Sequence, residues 1–185
     1  MQVDFSVELG ADDPVLDVPW AAPQGGLRYY DLKAQPELLL EIEEAMREPA
    51  MGEFLTTTNS PLSCLQTVKC DVWPSQEINP EEEIYGAACK FGSYVDLIFA
   101  DEAPRFSFAR HEALAARLTT LLKKVPEIAA AVEFIVRRCY YAEREGFYIT
   151  CYCFGYGADE PAAHKQWTIA LKLVENAIMQ LSREG

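Results

Sequence analysis

The sequence predicts an α+β fold in which a mainly antiparallel sheet packs one face against two long helices, giving two layers. Segments such as 91–99 alternate apolar and polar residues with the period of a β-strand. Two longer segments, 107–125 and 160–182, carry apolar stripes with the period of a helix. Half of the 185 residues are apolar, so one compact domain can bury a sizeable core.

Residues 1–60 are predicted to form an N-terminal segment that packs on the rest of the chain. Residues 2–9 alternate as in a half-buried strand. Residues 10–26 contain three prolines and three glycines, which favours a long loop. Trp20 is expected to fix that loop to the body of the protein.

The rest of the N-terminal segment is predicted to hold a short strand over 27–32 and a helix over 36–47. A proline suits the first turn of that helix, and its apolar stripe includes Met46. A linker over 56–61 then leads into the main body, residues 61–185.

The main body is predicted to begin with a strand over 64–72, in which Gln66, Val68, Cys70 and Val72 share a face. Proline lacks the N–H that a strand needs, so Pro74 is expected to end it. A short helix over 80–89 is predicted from an Asn-Pro start. The strand over 91–99 follows, with its odd-numbered apolar residues turned inward.

Strands over 132–141 and 147–156 are predicted to form a hairpin around the polar loop 142–146. The apolar alternation slips at Arg137 and Arg138, which indicates a β-bulge. The hairpin is expected to end in a flexible Gly-Tyr-Gly exit over 155–157, before the last helix.

Residues 92–99 resemble residues 146–153, and each run leads through Ala-Asp-Glu into a helix. One interpretation is a pair of strand-strand-helix pseudo-repeats. The other is chance resemblance between similar elements, because the offsets of the matching features differ (54, 53 and 58 residues). Both interpretations remain open at the level of sequence.

The net charge of −13 disfavours binding to nucleic acids and to acidic membranes. The N-terminus lacks the features of a signal peptide, and no apolar run is long enough to span a membrane. We therefore expect a soluble cytoplasmic protein whose six cysteines are reduced.

Motifs for cofactors and metals are absent from the sequence. The chain has no glycine-rich nucleotide loop, no Gly-x-Ser-x-Gly elbow and no Cys-x-x-Cys pair. We therefore expect no cofactor and no metal. Five cysteines could converge in the core, but buried free thiols are the simpler interpretation.

His111 and His164 are the two histidines and the candidate catalytic residues. Each lies near a predicted helix N-terminus, where the helix dipole favours a neutral imidazole. A cofactor-free enzyme could use one of them with a carboxylate such as Asp96 or Asp159 for acid–base chemistry. The simpler interpretation is a boundary histidine bonded to a carbonyl or to water.

One face of the predicted sheet carries aromatic side chains where a solvated face should be charged. This tyrosine-rich face is predicted to contain Lys69, Asp71, Tyr94, Asp96, Arg138, Tyr140, Tyr148 and Tyr152. The N-terminal segment could cover it, a second copy could pack on it as a homodimer, or it could line a small-molecule pocket. We expect a binding or interaction module that uses this face, with the histidine enzyme as the alternative.

Overall fold

A computed structural model describes residues 1–78 and 85–184, with the side chains of residues 74–77 left out of the description. Residues 80–84 of the predicted helix over 80–89 lie outside the described residues, and residues 85–89 form a turn and the start of a strand rather than a helix. The elements in chain order are β1 (Gln2–Glu8), β2 (Val15–Val18), a 3-10 helix (Pro36–Glu41), α1 (Glu43–Arg47), α2 (Pro49–Thr58), β3 (Leu65–Glu77), β4 (Cys89–Phe99), α3 (Glu102–Arg105), α4 (Phe108–Leu122), β5 (Ala130–Tyr141), β6 (Arg144–Gly157) and α5 (Glu160–Glu184).

The six strands form one sheet in the order β1-β5-β6-β4-β3, and β2 also pairs with β5. The pairs β3–β4, β4–β6 and β5–β6 are antiparallel. β1 and β2 run parallel to successive parts of β5. The predicted α+β fold with a mostly antiparallel sheet is confirmed. No helix in the described ranges is long and apolar enough to cross a membrane.

A large hydrophobic core joins one face of the sheet to α4 and α5. The odd-numbered residues Phe91, Val95 and Leu97 of β4 lie in it, which confirms their predicted orientation. Trp167 of α5 is fully buried there and donates from Nε1 to Ser93 Oγ at 2.9 Å. We call the face of the sheet that packs against α4 and α5 the helix-side face.

α5 lies unusually close to β6 at Gly155 and Gly157. A Cβ at Gly155 would overlap backbone atoms of Ala163 and Trp167, and one at Gly157 would overlap the backbone of Ala163. Glycine therefore permits the close contact between strand and helix. The prediction of a flexible exit at 155–157 was wrong.

The hairpin between β5 and β6 is tighter than predicted. Ala142 and Glu143 have φ values of 48° and 67°, as a two-residue turn requires. The pairing of β5 with β6 continues without a shift through Arg137 and Arg138, so the predicted β-bulge was wrong. Without a bulge, Arg138 and Tyr140 lie on the helix-side face.

The register irregularities lie in β3 instead. One shift falls between Thr67 and Lys69, so the predicted alternation breaks and Val68 and Lys69 both face away from the helices. A second shift follows Trp73, and β3 continues through Pro74 to Glu77. β3 is an edge strand, where a missing N–H is tolerated.

The N-terminal segment differs from its prediction in three places. The stretch 27–32 forms no strand, although Arg28 makes an isolated bridge with Ala21. The predicted helix over 36–47 is split into the 3-10 helix and α1, and Met46 is 61% exposed. The predicted linker over 56–61 begins inside α2.

Candidate ligand-binding site

The N-terminal segment covers one half of the tyrosine-rich face. Trp20 Nε1 donates to the backbone oxygen of Val68 at 2.7 Å, and Gln66 Nε2 donates to Tyr29 Oη at 3.0 Å. Beneath these contacts lies a second buried cluster, formed by Val18, Val68, Ile98, Cys139 and Tyr148. Tyr148 is only 3% exposed, so this half of the face is interior.

Lys33 holds the N-terminal segment against the start of β3. Its Nζ donates to the backbone oxygens of Ser60, Ser63 and Leu65 at 2.8, 2.8 and 3.1 Å. Burial lowers the pKa of this ammonium group. The three carbonyls satisfy its three donors, so the position of the segment is well defined.

A row of polar side chains crosses the tyrosine-rich face beside the covered half. Thr150 Oγ1 donates to Asp96 Oδ1 at 2.6 Å and accepts from Arg137 Nη1 at 3.0 Å. Arg137 also pairs with Glu8 at 2.7 Å. Lys69 is the β3 partner of Asp96 and extends the row toward the edge of the sheet.

Asp96 is 5% exposed. Burial raises the pKa of its carboxyl group to about 6, against the lowering effects of the Thr150 hydrogen bond and of the Lys69 and Arg137 charges. The tyrosine-rich face therefore contains a buried acid that titrates near neutrality.

The other half of the tyrosine-rich face carries an aromatic platform of partly exposed rings, formed by Trp73, Tyr94, Tyr152 and Phe154. The rings of Trp73, Tyr152 and Phe154 are within 13° of parallel, with centroids 6.0 to 6.2 Å apart. Equal separations exclude a single face-to-face column, in which the outer rings would be twice as far apart. The three centroids therefore form a nearly equilateral triangle over the sheet.

Gly92 makes room for this aromatic platform. A Cβ at Gly92 would lie 2.7 Å from Phe154 Cδ1 and 3.0 Å from Trp73 Cε3. The two rings therefore pack directly over the backbone of β4, which no other residue type at this position would allow without displacing them.

A cleft of about 770 Å³ lies between the N-terminal segment and β3 and reaches the aromatic platform at Tyr94. Its aromatic lining is Trp20, Tyr30 and Tyr94. The charged residues in its wall are Arg28, Glu41, Glu43, Glu44, Lys69 and Asp71. Its volume falls within the usual range of small-molecule sites, which is roughly 300–1,000 Å³.

The edge of β3 beside the cleft is not free to pair with another strand. The backbone oxygens of Leu65, Val68 and Val72 accept hydrogen bonds from Lys33, Trp20 and Arg47. The N–H of Val72 donates to the side chain of Asp71. Side chains therefore already occupy much of the hydrogen-bonding capacity that a β-strand partner would use.

The structure separates the predicted site residues into three groups. Lys69, Asp71 and Tyr94 line the cleft, with Asp96 and Tyr152 beside it. Tyr148 is buried under the N-terminal segment. The placement of Arg138 and Tyr140 on the tyrosine-rich face was wrong, since the unbroken register of β5 turns both to the helix-side face.

Two contributors to this site, Trp73 and Arg137, were not predicted from the sequence. Trp73 lies next to Pro74, where the strand was expected to end. Arg137 faces the platform, with its guanidinium 5.8 Å from the Tyr152 ring, because β5 has no bulge. Tyr30 reaches the cleft from the stretch 27–32, which forms no strand.

The two histidines do not meet the carboxylates proposed for them. His111 is fully buried on the helix-side face, opposite to Asp96, and contacts the Ser107 backbone oxygen through Nδ1 at 2.9 Å. Burial lowers its pKa to about 4. His164 Nε2 lies 2.8 Å from Glu48 Oε2, while Asp159 instead accepts from a backbone N–H.

The cysteines do not converge. Cys139 lies in the cluster under the N-terminal segment, whereas Cys151 and Cys153 lie in the core on the helix-side face. All six are free thiols. Within residues 1–78 and 85–184, no group of three or more His, Cys, Asp or Glu side chains is arranged to hold a metal ion.

Comparison with protein-family models, with curated proteins and with solved structures found no significant match to this chain.

Proposed function

We propose that the protein is a binding module that takes a small organic molecule in the cleft, with part of the ligand resting on the aromatic platform. The observation that supports this most directly is the position of Tyr94, which belongs to both features. A concave site with aromatic walls and a few charged groups is typical of small-molecule recognition.

Two other uses of the tyrosine-rich face have less support. A peptide strand added to β3 would have to displace the side chains bonded to its edge. A stable homodimer needs roughly 20–30 residues on each side, and the N-terminal segment already covers half of this face. The mass of the protein in solution tests the dimer. If this face forms a homodimer, the wild type should have the mass of a dimer and Tyr152→Glu that of a monomer.

Acid–base catalysis by His111 or His164 is also the weaker proposal. The first is buried within the helix-side core, and the second pairs with Glu48, and neither His164 nor Glu48 lines the cleft. Proton NMR titration of the two histidines tests it, since a base for catalysis must titrate and must contact an added substrate.

An NMR titration with benzyl alcohol, a small neutral aromatic probe, tests the binding function. We expect the indole N–H signals of Trp20 and Trp73 to shift, while that of the buried Trp167 serves as an internal reference. Tyr94→Leu should weaken binding by about fivefold, in keeping with the loss of a stacking ring.

Tyr140→Leu is the matched control, because Tyr140 is 38% exposed on the opposite side of the sheet. Equal affinity of both variants and the wild type would place the probe elsewhere. Absence of any shift at Trp20 and Trp73 would argue against a ligand site in the cleft.

For the scaffold, we propose that the fold has two layers and is built from two copies of a strand-strand-helix unit. The 54-residue offset makes Asp96 equivalent to Thr150, and these two are register partners between β4 and β6. A local two-fold axis through that pair would relate the two hairpins. Thr150→Asp should lose stability because it places a second carboxyl group beside Asp96, and adding Asp96→Thr, which exchanges the pair, should then restore that stability. A double variant no more stable than Thr150→Asp alone would count against duplication.

A further inference from the structure

We propose that the ligand of the cleft is an organic cation, an ammonium group attached to an apolar or aromatic body. This inference rests on the proposed binding function and narrows it to one class of ligand. It is carried by the aromatic rings of the cleft and by the charges in its wall.

The rings of the cleft already hold cations of the chain itself. The Lys69 ammonium lies 5.4 Å from the centroid of the Trp20 ring, and the Arg28 guanidinium lies 5.3 Å from that of Tyr30. Both separations are within the range of a cation–π attraction. Two of the three cleft aromatics are therefore placed where a positive charge is favourable.

The wall of the cleft carries more negative than positive charge. Its carboxylates are Glu41, Glu43, Glu44 and Asp71, and its cations are Arg28 and Lys69. None of the four carboxylates forms an ion pair with another residue in the described part of the chain. Together with the net charge of −13, this leaves a negative potential that a cationic ligand would neutralise.

The geometry suggests how such a ligand would sit. Its ammonium group would replace the Lys69 Nζ over the Trp20 ring, close to the carboxylates. Its apolar part would extend past Tyr94 toward the aromatic platform. An anionic ligand would be disfavoured in the same cleft, because the four carboxylates of the wall would repel it.

Three probes of similar size test the preference: benzyltrimethylammonium, benzyl alcohol and phenylacetate, each titrated into the protein and followed by NMR. We expect the cation to bind about threefold or more tighter than the alcohol, and phenylacetate to bind weakest. Equal binding of cation and alcohol in the cleft would overturn the cation inference and leave the binding function standing. Failure of all three to shift Trp20 and Trp73 would remove the binding function itself.

Charge variants separate local recognition from the general attraction of an acidic protein. Glu43→Gln with Glu44→Gln should weaken benzyltrimethylammonium binding by about three- to tenfold. Glu112→Gln with Glu127→Gln removes the same charge from exposed residues outside the cleft and should leave affinity nearly unchanged. If both pairs weaken binding equally, the cation is held by the overall charge and the inference fails.

Lys69→Met gives the sharpest outcome because it removes the competing cation from the Trp20 ring. We expect it to tighten benzyltrimethylammonium binding by about threefold relative to benzyl alcohol measured on the same variant. A weaker affinity for the cation in this variant would overturn the inference. An unchanged Trp167 indole signal checks that the fold is retained.

Discussion

Thr150 donates a 2.6 Å hydrogen bond from Oγ1 to Oδ1 of Asp96, and the two residues face each other across β4 and β6. The carboxyl group is buried, and its pKa rises from 3.8 to about 6. Between about pH 4 and pH 6 the folded protein therefore keeps a proton that the unfolded chain has released. Stability must fall as pH rises through that window.

We expect Asp96→Asn to be more stable than the wild type above about pH 6, by about 3 kcal/mol, and equally stable near pH 4. Asparagine has the same shape, can still accept the bond from Thr150 and carries no charge to bury. Urea unfolding across this pH range measures the difference.

The exposed carboxylate of Glu133 on the same face provides the control for Asp96→Asn. Glu133→Gln should change stability by less than about 0.5 kcal/mol at every pH. A stability difference between Asp96→Asn and the wild type that stays constant with pH would show that the pKa of the Asp96 carboxyl group is not raised.

His111 contributes a pH dependence of opposite sign. Burial lowers its pKa from 6.5 to about 4, so the unfolded chain binds a proton first as pH falls. The wild type should therefore lose about 3 kcal/mol of stability from this residue between about pH 6.5 and pH 4. Because the Asp96 contribution grows over much of the same range, the two largely cancel in the wild type.

His111→Phe should remove the acid-induced loss, because a phenyl ring can pack against Phe99 and Phe147 without titrating. The difference in unfolding free energy between this variant and the wild type should change by about 3 kcal/mol in favour of the variant from pH 7 to pH 4. His164→Phe is the control, since that imidazole is partly exposed. Parallel stability curves for His111→Phe and wild type would contradict this explanation.

The sequence was most informative where one face of a strand or helix was polar. Phe91, Val95 and Leu97 alternate with less apolar neighbours, and Leu118 and Leu171 follow a helical stripe, so their burial could be predicted. β5 was harder to interpret because Ile135 and Cys139 are buried on its second face. When both faces of a strand carry apolar residues, the alternation of apolar and polar residues no longer shows which residues face the core. A continuous strand can then be mistaken for one with a β-bulge.

The site depended on contacts that no local pattern encodes. Trp20 and Tyr29 determine which half of the tyrosine-rich face is covered. Both contact residues of β3 that lie more than 35 positions further along the chain. The shift between Thr67 and Lys69 turns Val68 to the tyrosine-rich face without any sequence signal. From the sequence, Gly155 was predicted to belong to a flexible exit from the strand. The reason for a glycine at this position is the close packing of α5, which the sequence does not show.

Gly155→Ala should destabilise the protein severely, by about 3 kcal/mol or more. The added methyl group would meet backbone atoms of α5 at Ala163 and Trp167, which cannot rotate away as a side chain can. Gly10→Ala is the control, because its Cβ would meet only the side chain of Asp13. Thermal and urea unfolding measure both, and a loss of stability for Gly155→Ala no larger than that for Gly10→Ala would show that α5 does not pack this closely.

Lys33→Met should loosen the N-terminal segment, because it leaves the backbone oxygens of Ser60, Ser63 and Leu65 without their donor. The methionine keeps the apolar stem of lysine, so the loss is that of the ammonium group, and we expect about 1–3 kcal/mol. Lys165→Met removes an exposed lysine of α5 and should cost less than about 0.5 kcal/mol. Hydrogen exchange should show faster exchange at the Tyr29 N–H, which donates to the Trp20 carbonyl. Unchanged exchange at Tyr29 in Lys33→Met would mean that Trp20 and Tyr29 hold the segment in place without the lysine.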